Sequence, residues 1–140
     1  MRLLLAVLAA LAAGPEDAAV TVIVGATLVD GGGRAPVADS VVIVRGAAIA
    51  AVGDRVHTPI PKGAALVDGR RAWLAPAPAT AAALPAAIAE ILRGPVARVR
   101  VGQPAHLALL DGDPRPADGA SARVRRLWIK GREIVTEAVR

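Results

Sequence analysis

Few residues in this sequence could support hydrolysis or bind a metal ion, and those few lie far apart. The two histidines are His57, in a proline-containing loop, and His106, at the start of an apolar run. A hydrolytic metal site needs several histidine or carboxylate ligands that converge, usually including a closely spaced pair. Neither histidine belongs to an HxH, HxxE or HxxxH pattern. We therefore interpret them as unrelated surface residues.

The remaining candidates for chemistry are equally weak. The Asp-Gly-Asp-Pro segment at 111–114 lacks the alternating oxygens and terminal glutamate of a calcium loop, and is typical of a turn. Ser40 and Ser121 are predicted to lie in loops, without a histidine or acid at a nucleophile elbow. The glycines at 31–33 follow a predicted strand, but no helix is predicted to begin after them. They therefore do not predict a phosphate site. We predict no catalytic, cofactor-binding or metal-ligating residue, and no cofactor for this chain.

Composition favours a β-rich domain with an aliphatic core. Of 140 residues, 54% are hydrophobic but only 1% are aromatic, with two tryptophans and no phenylalanine or tyrosine. The 14 glycines and 11 prolines indicate short strands and many turns. The absence of cysteine excludes disulfides, thiolate zinc sites and a cysteine nucleophile.

The net charge of +5 raises the question of an acidic partner. In segment 96–101 arginines alternate with valines, the period-two pattern of a half-exposed strand. This favours a solvated strand face over a nucleic-acid interface, which should also carry contacts to bases. We expect no nucleic-acid partner. A basic module that binds an acidic surface in the cell envelope remains an alternative, supported by the charge alone.

The N-terminus is typical of a signal peptide. Arg2 precedes an apolar run at 3–13, which is much shorter than the ~20 residues that span a bilayer, and Ala10-Leu11-Ala12 fits a small-x-small cleavage site. We expect residues 1–13 to be the signal peptide and 14–19 a flexible linker. The chain is then exported to the periplasm or secreted, without stable membrane insertion.

The remainder predicts about nine short strands and one short helix. This favours a mainly β fold, which we interpret as a small β-sandwich. Periodicity alone also allows a partly closed barrel. The predicted strand segments are 20–29, interrupted at Gly25, and 41–45, 48–52, 65–67, 72–74, 97–101, 107–110, 124–130 and 133–139.

An Ala/Pro linker at 75–83 is predicted to lead into the helix, over about 84–93. Pro85 suits its first turn and Gly94 its C-terminal cap. Its apolar residues fall on one stripe, which should dock on the sheet: Leu84, Ile88, Ile91 and Leu92.

Several segments, taken in order, resemble the metal-dependent amidohydrolase superfamily, including its imidazolonepropionase-like and dihydroorotase-like members. ATLVDG at 26–31, IAAVG at 49–53 and PKGAALVD at 61–68 match the pattern of the family's N-terminal strands. VGQPAHLALLDGDP at 101–114 and VRRLWIKGREI at 124–134 match the pattern of its C-terminal strands.

The resemblance implies a composite β-sandwich built from the N- and C-terminal segments. In the family, a (β/α)₈ barrel lies between them in sequence and holds zinc or another divalent metal. There the strand after the V-D-x-x-G step runs into P-G-x-x-D-x-H-x-H, which supplies two metal ligands. Here residues 74–79 read LAPAPA, so Pro76 is retained but the glycine, the aspartate and both histidines are not. His106 stands where the family has a structural aspartate, and is not expected to bind metal.

These observations assign residues 20–140 to one composite domain. Its parts are N-terminal strands at 20–75, a linker and helix in place of the barrel at 76–95, and C-terminal strands at 96–140. We expect an amidohydrolase-related sandwich without activity of its own. Its barrel-facing surface would be apolar and open to self-association or a partner, or covered by the 84–93 helix. The alternative is an accessory part of an active amidohydrolase whose barrel is supplied elsewhere.

Overall fold

A computed structural model describes residues 19–30, 35–77, 98–115 and 123–134. They form nine strands: β1 (Val20–Val24), β2 (Thr27–Leu28), β3 (Ser40–Arg45), β4 (Ala48–Asp54), β5 (Ala65–Asp68), β6 (Trp73–Pro76), β7 (Leu107–Leu110), β8 (Val124–Ile129) and β9 (Arg132–Ile134). The described ranges contain no helix. The mainly β fold predicted from the sequence is confirmed. The predicted helix at 84–93 lies outside these ranges.

The strands form two sheets. The four-stranded sheet has the order β4-β3-β1-β5, and the five-stranded sheet has the order β2-β6-β7-β8-β9. Most neighbours are antiparallel, but β1 pairs with β5 and β2 pairs with β6 in parallel. Strands from both halves of the chain therefore share the five-stranded sheet.

The two sheets pack face to face over an aliphatic core. Ile23, Val42 and Ile49 of the four-stranded sheet belong to one buried cluster with Leu74 and Trp128 of the five-stranded sheet. Alternation along the strands places these side chains inward. Trp128 is only 2% exposed and is the largest of the fully buried side chains in the described ranges.

Both predicted hairpins are present. β3 returns as β4 through Gly46, which has φ of 60°, and β8 returns as β9 through Lys130 and Gly131, with φ of 50° and 76°. Two consecutive positive φ values are the signature of a type I′ turn, which matches the twist of the flanking strands. The second hairpin had been predicted to reach residue 139, but residues 135–140 lie outside the described ranges.

The sequence predicts a strand at 97–101, and this is wrong for residues 98–101, which the structure describes. Residues 98–101 join no sheet, because they cross from one sheet to the other. The Val99 N–H donates to the carbonyl of Asp30, just after β2, at 3.0 Å, while the Gly102 N–H donates to Ile49 of β4 at 2.8 Å. Val99 is buried against the inner core. The segment therefore closes one end of the sandwich.

The predicted linker start at residue 75 is also wrong, because β6 continues through Pro76. The Ala77 N–H donates to the His106 carbonyl at 2.9 Å, so the neighbouring Pro76 nitrogen points away from β7. β2 has already ended on that side, at Leu28. A proline is tolerated there because no ladder hydrogen bond needs its missing N–H.

Candidate functional site

The end of β6 is the candidate site, because the resembled pattern places metal ligands immediately after it. Two neighbouring strand switches position this strand. The chain crosses from the four-stranded to the five-stranded sheet between β1 and β2, and again between β5 and β6. Since β1 lies beside β5 and β2 beside β6, both in parallel, the two crossings run side by side.

Gly69 allows the two crossings to touch. Its N–H donates to the Val24 carbonyl at 2.7 Å. A Cβ added at Gly69 would lie 2.8 Å from the Ala26 Cβ and 3.0 Å from the Ala26 nitrogen. Ala26 is fully buried and cannot move aside. The close approach of the two crossings therefore requires a glycine at position 69.

Asp68, in the resembled V-D-x-x-G step, has a structural role here. Its carboxylate accepts hydrogen bonds from the Arg70 backbone N–H at 3.0 Å and from Arg70 Nη2 at 2.9 Å. The Arg70 side chain and backbone lower the pKa of Asp68 to about 2. The pair is exposed to solvent and lies in the turn before β6.

The side chains that β6 delivers are aliphatic. Leu74 packs into the inner core, while Ala75 and Ala77 point to the opposite face of the sheet. None of these side chains can ligate a metal or transfer a proton. The positions at 78 and 79 lie outside the described ranges.

The histidines belong to different parts of the fold. His57 lies in the turn after β4, where its Nδ1 is 2.7 Å from Asp54 Oδ1. The hydrogen bond from the His57 backbone N–H, followed by this side-chain contact, lowers the pKa of Asp54. His106 precedes β7 and its Nδ1 accepts a hydrogen bond from the Lys130 backbone N–H at 3.1 Å. Burial and the Lys130 charge lower the pKa of His106.

The acidic loop at 111–114 is neutralised by arginine. Asp113 accepts hydrogen bonds from Arg115 Nε and Nη2 at 2.9 and 2.6 Å, and Asp111 pairs with Arg125 at 3.2 Å. Each of these two carboxylates is therefore paired with an arginine side chain. Across the ranges that the structure describes, no group of three or more histidine, cysteine, aspartate or glutamate residues could hold a metal ion.

Ser40 was predicted to lie in a loop, and this is wrong. It is the first residue of β3, because the strand extends to pair with Asp54. Its side chain is fully buried and its Oγ donates to the Ala26 carbonyl at 2.7 Å, beside the first strand switch. Ser121 and the glycines at 31–33 lie outside the described ranges.

A cleft of about 300 Å³ lies beside segment 98–101. The described residues that line it include Leu28, Val52 and Val99, with Asp30 and Arg100 as the charged members. It contains one carboxylate and one guanidinium but no histidine or serine in this lining. Sequence reasoning did not predict this cleft, because it depends on which turns meet at the end of the sandwich.

Arginines in the described ranges repeatedly contact carboxylates and tryptophans. Arg55 pairs with Asp39 at 2.9 Å and Arg126 with Glu133 at 2.6 Å. The Arg126 guanidinium also lies 5.5 Å from the centre of the Trp128 ring.

In the described part of the chain, no helix is long and apolar enough to cross a membrane.

Several solved structures are similar to part of this chain. Molinate hydrolase is 29% identical over 42% of this chain and 13% of its own, with a TM-score of 0.39. Phenylurea hydrolase B is 43% identical over 41% of this chain and 13% of its own, with a TM-score of 0.39. Ochratoxinase from A. niger is 23% identical over 43% of this chain and 14% of its own, with a TM-score of 0.34.

The chain thus spans about 13% of the length of the first two hydrolases. Each match covers about two fifths of this chain and a small part of the other chain. No protein-family model matches the chain, and neither does any curated protein.

Proposed function

We propose that this chain is the β-sandwich part of an amidohydrolase-type protein and does not hydrolyse amide bonds by itself. The pairing of β6 with β7 carries the proposal. β6 ends where the resembled family begins its metal-binding barrel, and β7 belongs to the C-terminal pattern. The two strands pair directly, from Trp73 opposite Leu110 to Pro76 opposite Leu107. The two resembled segments therefore form one composite sheet.

The chemistry of β6 supports the second half of the proposal. Hydrolysis by this class of enzyme depends on a positioned metal ion and a base that activates water. Ala75 and Ala77 occupy the exit of β6 and offer neither. Asp68 and Asp113 are each held by an arginine and have lowered pKa values, which makes them poor bases near neutral pH.

The purified 140-residue chain tests this proposal directly. Zinc content would be measured by elemental analysis, and turnover with a panel of linear and cyclic amides in the presence of added divalent metals. We expect no stoichiometric metal and no turnover. A His57→Gln/His106→Gln double variant is the matched control, because it removes both histidine side chains. Stoichiometric zinc and turnover that disappear in the double variant would contradict the proposal.

We also propose that the chain is exported, with residues 1–13 as its signal peptide. The positive Arg2, the apolar run at 3–13 and the small residues near its end support this proposal.

A further inference from the structure

The two ends of the sandwich differ in how their charges are arranged. We call the end where β1 crosses to β2 and β5 to β6 the switch end, and the end where Gly131 packs against Gly46 the turn end. The switch end carries five aspartates, each in contact with an arginine or with His57: Asp39, Asp54, Asp68, Asp111 and Asp113. Positive and negative side chains are therefore interspersed at the switch end.

Three turns meet at the turn end, and backbone hydrogen bonds join them. The Ala105 N–H donates to the Ala47 carbonyl at 2.9 Å, and the Ala105 carbonyl accepts from the Gly131 N–H at 3.0 Å. Residues 100–105 therefore lie between the β3–β4 turn and the β8–β9 turn. Charged side chains on these three turns share one small surface.

The described segments of the turn end carry cations and no carboxylate. Segments 45–49, 100–106 and 130–132 contain no aspartate or glutamate. Glu133 follows directly, but it pairs with Arg126 at 2.6 Å. All of the cations except Arg45 are exposed and form no ion pair within the described ranges. The four cations are Arg45, Arg100, Lys130 and Arg132.

Acidic residues that are close in sequence do not cancel this charge. The Gly46 N–H donates to the Ala19 carbonyl at 3.0 Å, and Glu16 and Asp17 precede Ala19 in the chain. These two acidic residues lie outside the described ranges. Even with both counted against it, the turn end has four cations and two carboxylates. An excess of positive charge therefore remains.

An exposed aliphatic side chain stands among these cations. Val101 follows Arg100 directly and is 63% exposed. The Gly102 N–H donates to the Ile49 carbonyl at 2.8 Å, and the Gln103 carbonyl accepts from the Ile49 N–H at 2.9 Å, so β4 holds this turn in place. Cations beside an exposed apolar side chain fit a partner that is anionic at its surface and apolar just beneath. A bilayer with anionic headgroups has this layering.

Other acidic partners fit the turn end less well. A single-stranded nucleic acid is usually bound with aromatic side chains on which bases stack. Trp128 is buried in the core, and Trp73 begins β6 at the switch end. A soluble polyanion would use the cations but would leave Val101 exposed to water. The cations and the valine together therefore favour a lipid surface.

We propose that the turn end is a peripheral docking surface for membranes that contain anionic phospholipids. Arg100, Lys130 and Arg132 contact the headgroup phosphates, and Val101 enters the layer between headgroups and acyl chains. The association is electrostatic in large part, so it weakens as salt screens the charges. This inference goes beyond the proposed function and depends on neither hydrolysis nor export.

Charge removal at the two ends tests the proposal. The full chain would be titrated with phosphatidylglycerol/phosphatidylcholine vesicles at low salt. Lys130→Gln/Arg132→Gln should weaken binding by about 25-fold, because each cation near an anionic membrane contributes about fivefold. Arg71→Gln/Arg123→Gln is the matched control. It removes the same charge from exposed residues at the switch end, and Arg71 has a positive φ of 63° as Lys130 has one of 50°.

The control pair should leave most of the binding intact. Every variant keeps residues 1–13, so any binding by that apolar run is common to all of them, and pure phosphatidylcholine vesicles should not distinguish the variants. Urea unfolding of each variant checks that the fold is retained. Equal losses from the two charge pairs would overturn the proposal, because binding would then follow the net charge and not the turn end.

The exposed valine provides a second test. Val101→Ser should weaken vesicle binding several-fold, because it removes apolar surface that the membrane buries. Val56→Ser is its control, since Val56 is 87% exposed in the turn after β4, at the switch end, and should have no effect. Equal affinities of the two serine variants would contradict the proposal. Binding of soluble polyphosphate without binding of vesicles would also contradict it, and would assign the turn end to a soluble polyanion.

Discussion

Gly131 packs directly against Gly46, so the turns of the two hairpins touch. The Gly46 carbonyl occupies the place where a Cβ on Gly131 would stand, and the Gly131 N–H donates to the Ala105 carbonyl at 3.0 Å. One turn belongs to the four-stranded sheet and the other to the five-stranded sheet. This contact therefore fixes the two sheets relative to one another at one end of the sandwich.

Gly131→Ala should destabilise the chain by more than the backbone conformation alone explains. A residue with a Cβ costs about 1–2 kcal/mol in the left-handed region, and forced contacts in a packed site add about 1–3 kcal/mol. Gly63→Ala is the control, because Gly63 has a similar φ of 78° but no atom within 4 Å of the added Cβ. Urea unfolding of both variants measures the difference. Equal losses would show that the contact with Gly46 contributes nothing.

Gly69→Ala should also destabilise the chain, through a clash with Ala26 rather than through φ. An added Cβ would lie 2.8 Å from the Ala26 Cβ, well inside van der Waals contact. Ala26→Gly removes that methyl group, although the Ala26 nitrogen at 3.0 Å remains. The double variant should therefore lose less stability than the sum of the two single variants. Strict additivity in a double-mutant cycle would argue against the close approach of the two strand switches.

Stability should fall as the pH is lowered through the range of His106. Burial and the Lys130 charge hold its pKa below the ordinary 6.5 in the folded chain. The unfolded chain therefore binds this proton first as the pH falls, so the contribution of His106 is complete above pH 6.5 and is lost below it. Protonation of Nδ1 would also remove the acceptor for the Lys130 N–H.

Unfolding free energies measured between about pH 8 and about pH 5 check this expectation. His106→Gln should flatten the slope relative to the parent chain. Lys130→Gln should raise the pKa of His106, followed by NMR, because it removes one of the two causes. A slope that survives intact in His106→Gln would assign the pH dependence to other groups.

Processing at the N-terminus should remove Arg2 and the apolar run from the exported protein. Expression of the whole chain in a bacterial host, followed by fractionation and intact-mass analysis, gives the mature end. We expect the periplasmic form to begin near residue 13 or 14, and Leu5→Arg/Leu8→Arg to keep the chain unprocessed, because charges disrupt the apolar region. An unprocessed cytoplasmic parent chain would contradict the proposal of export.

The sequence by itself determined the class of the fold and most of the strands. Runs of β-branched residues predicted β1 and β3, and Gly46 and Gly131 marked hairpin turns that the structure confirms. These features depend on local backbone preferences, which can be read from a few neighbouring residues. The sequence also contains no closely spaced pair of histidines. The segments that resemble amidohydrolases include strands that form in the structure.

Only the tertiary structure decided which strands meet. The alternating pattern at 98–101 resembled a strand, yet Val99 and Gly102 bond to different sheets and the segment crosses between them. The close approach of Gly69 to Ala26 and the contact between Gly131 and Gly46 involve residues far apart in sequence. Period and propensity specify which way a side chain points relative to its own strand. The partner that it meets depends on the packing of the two sheets, and the sequence pattern carries no direct record of that packing.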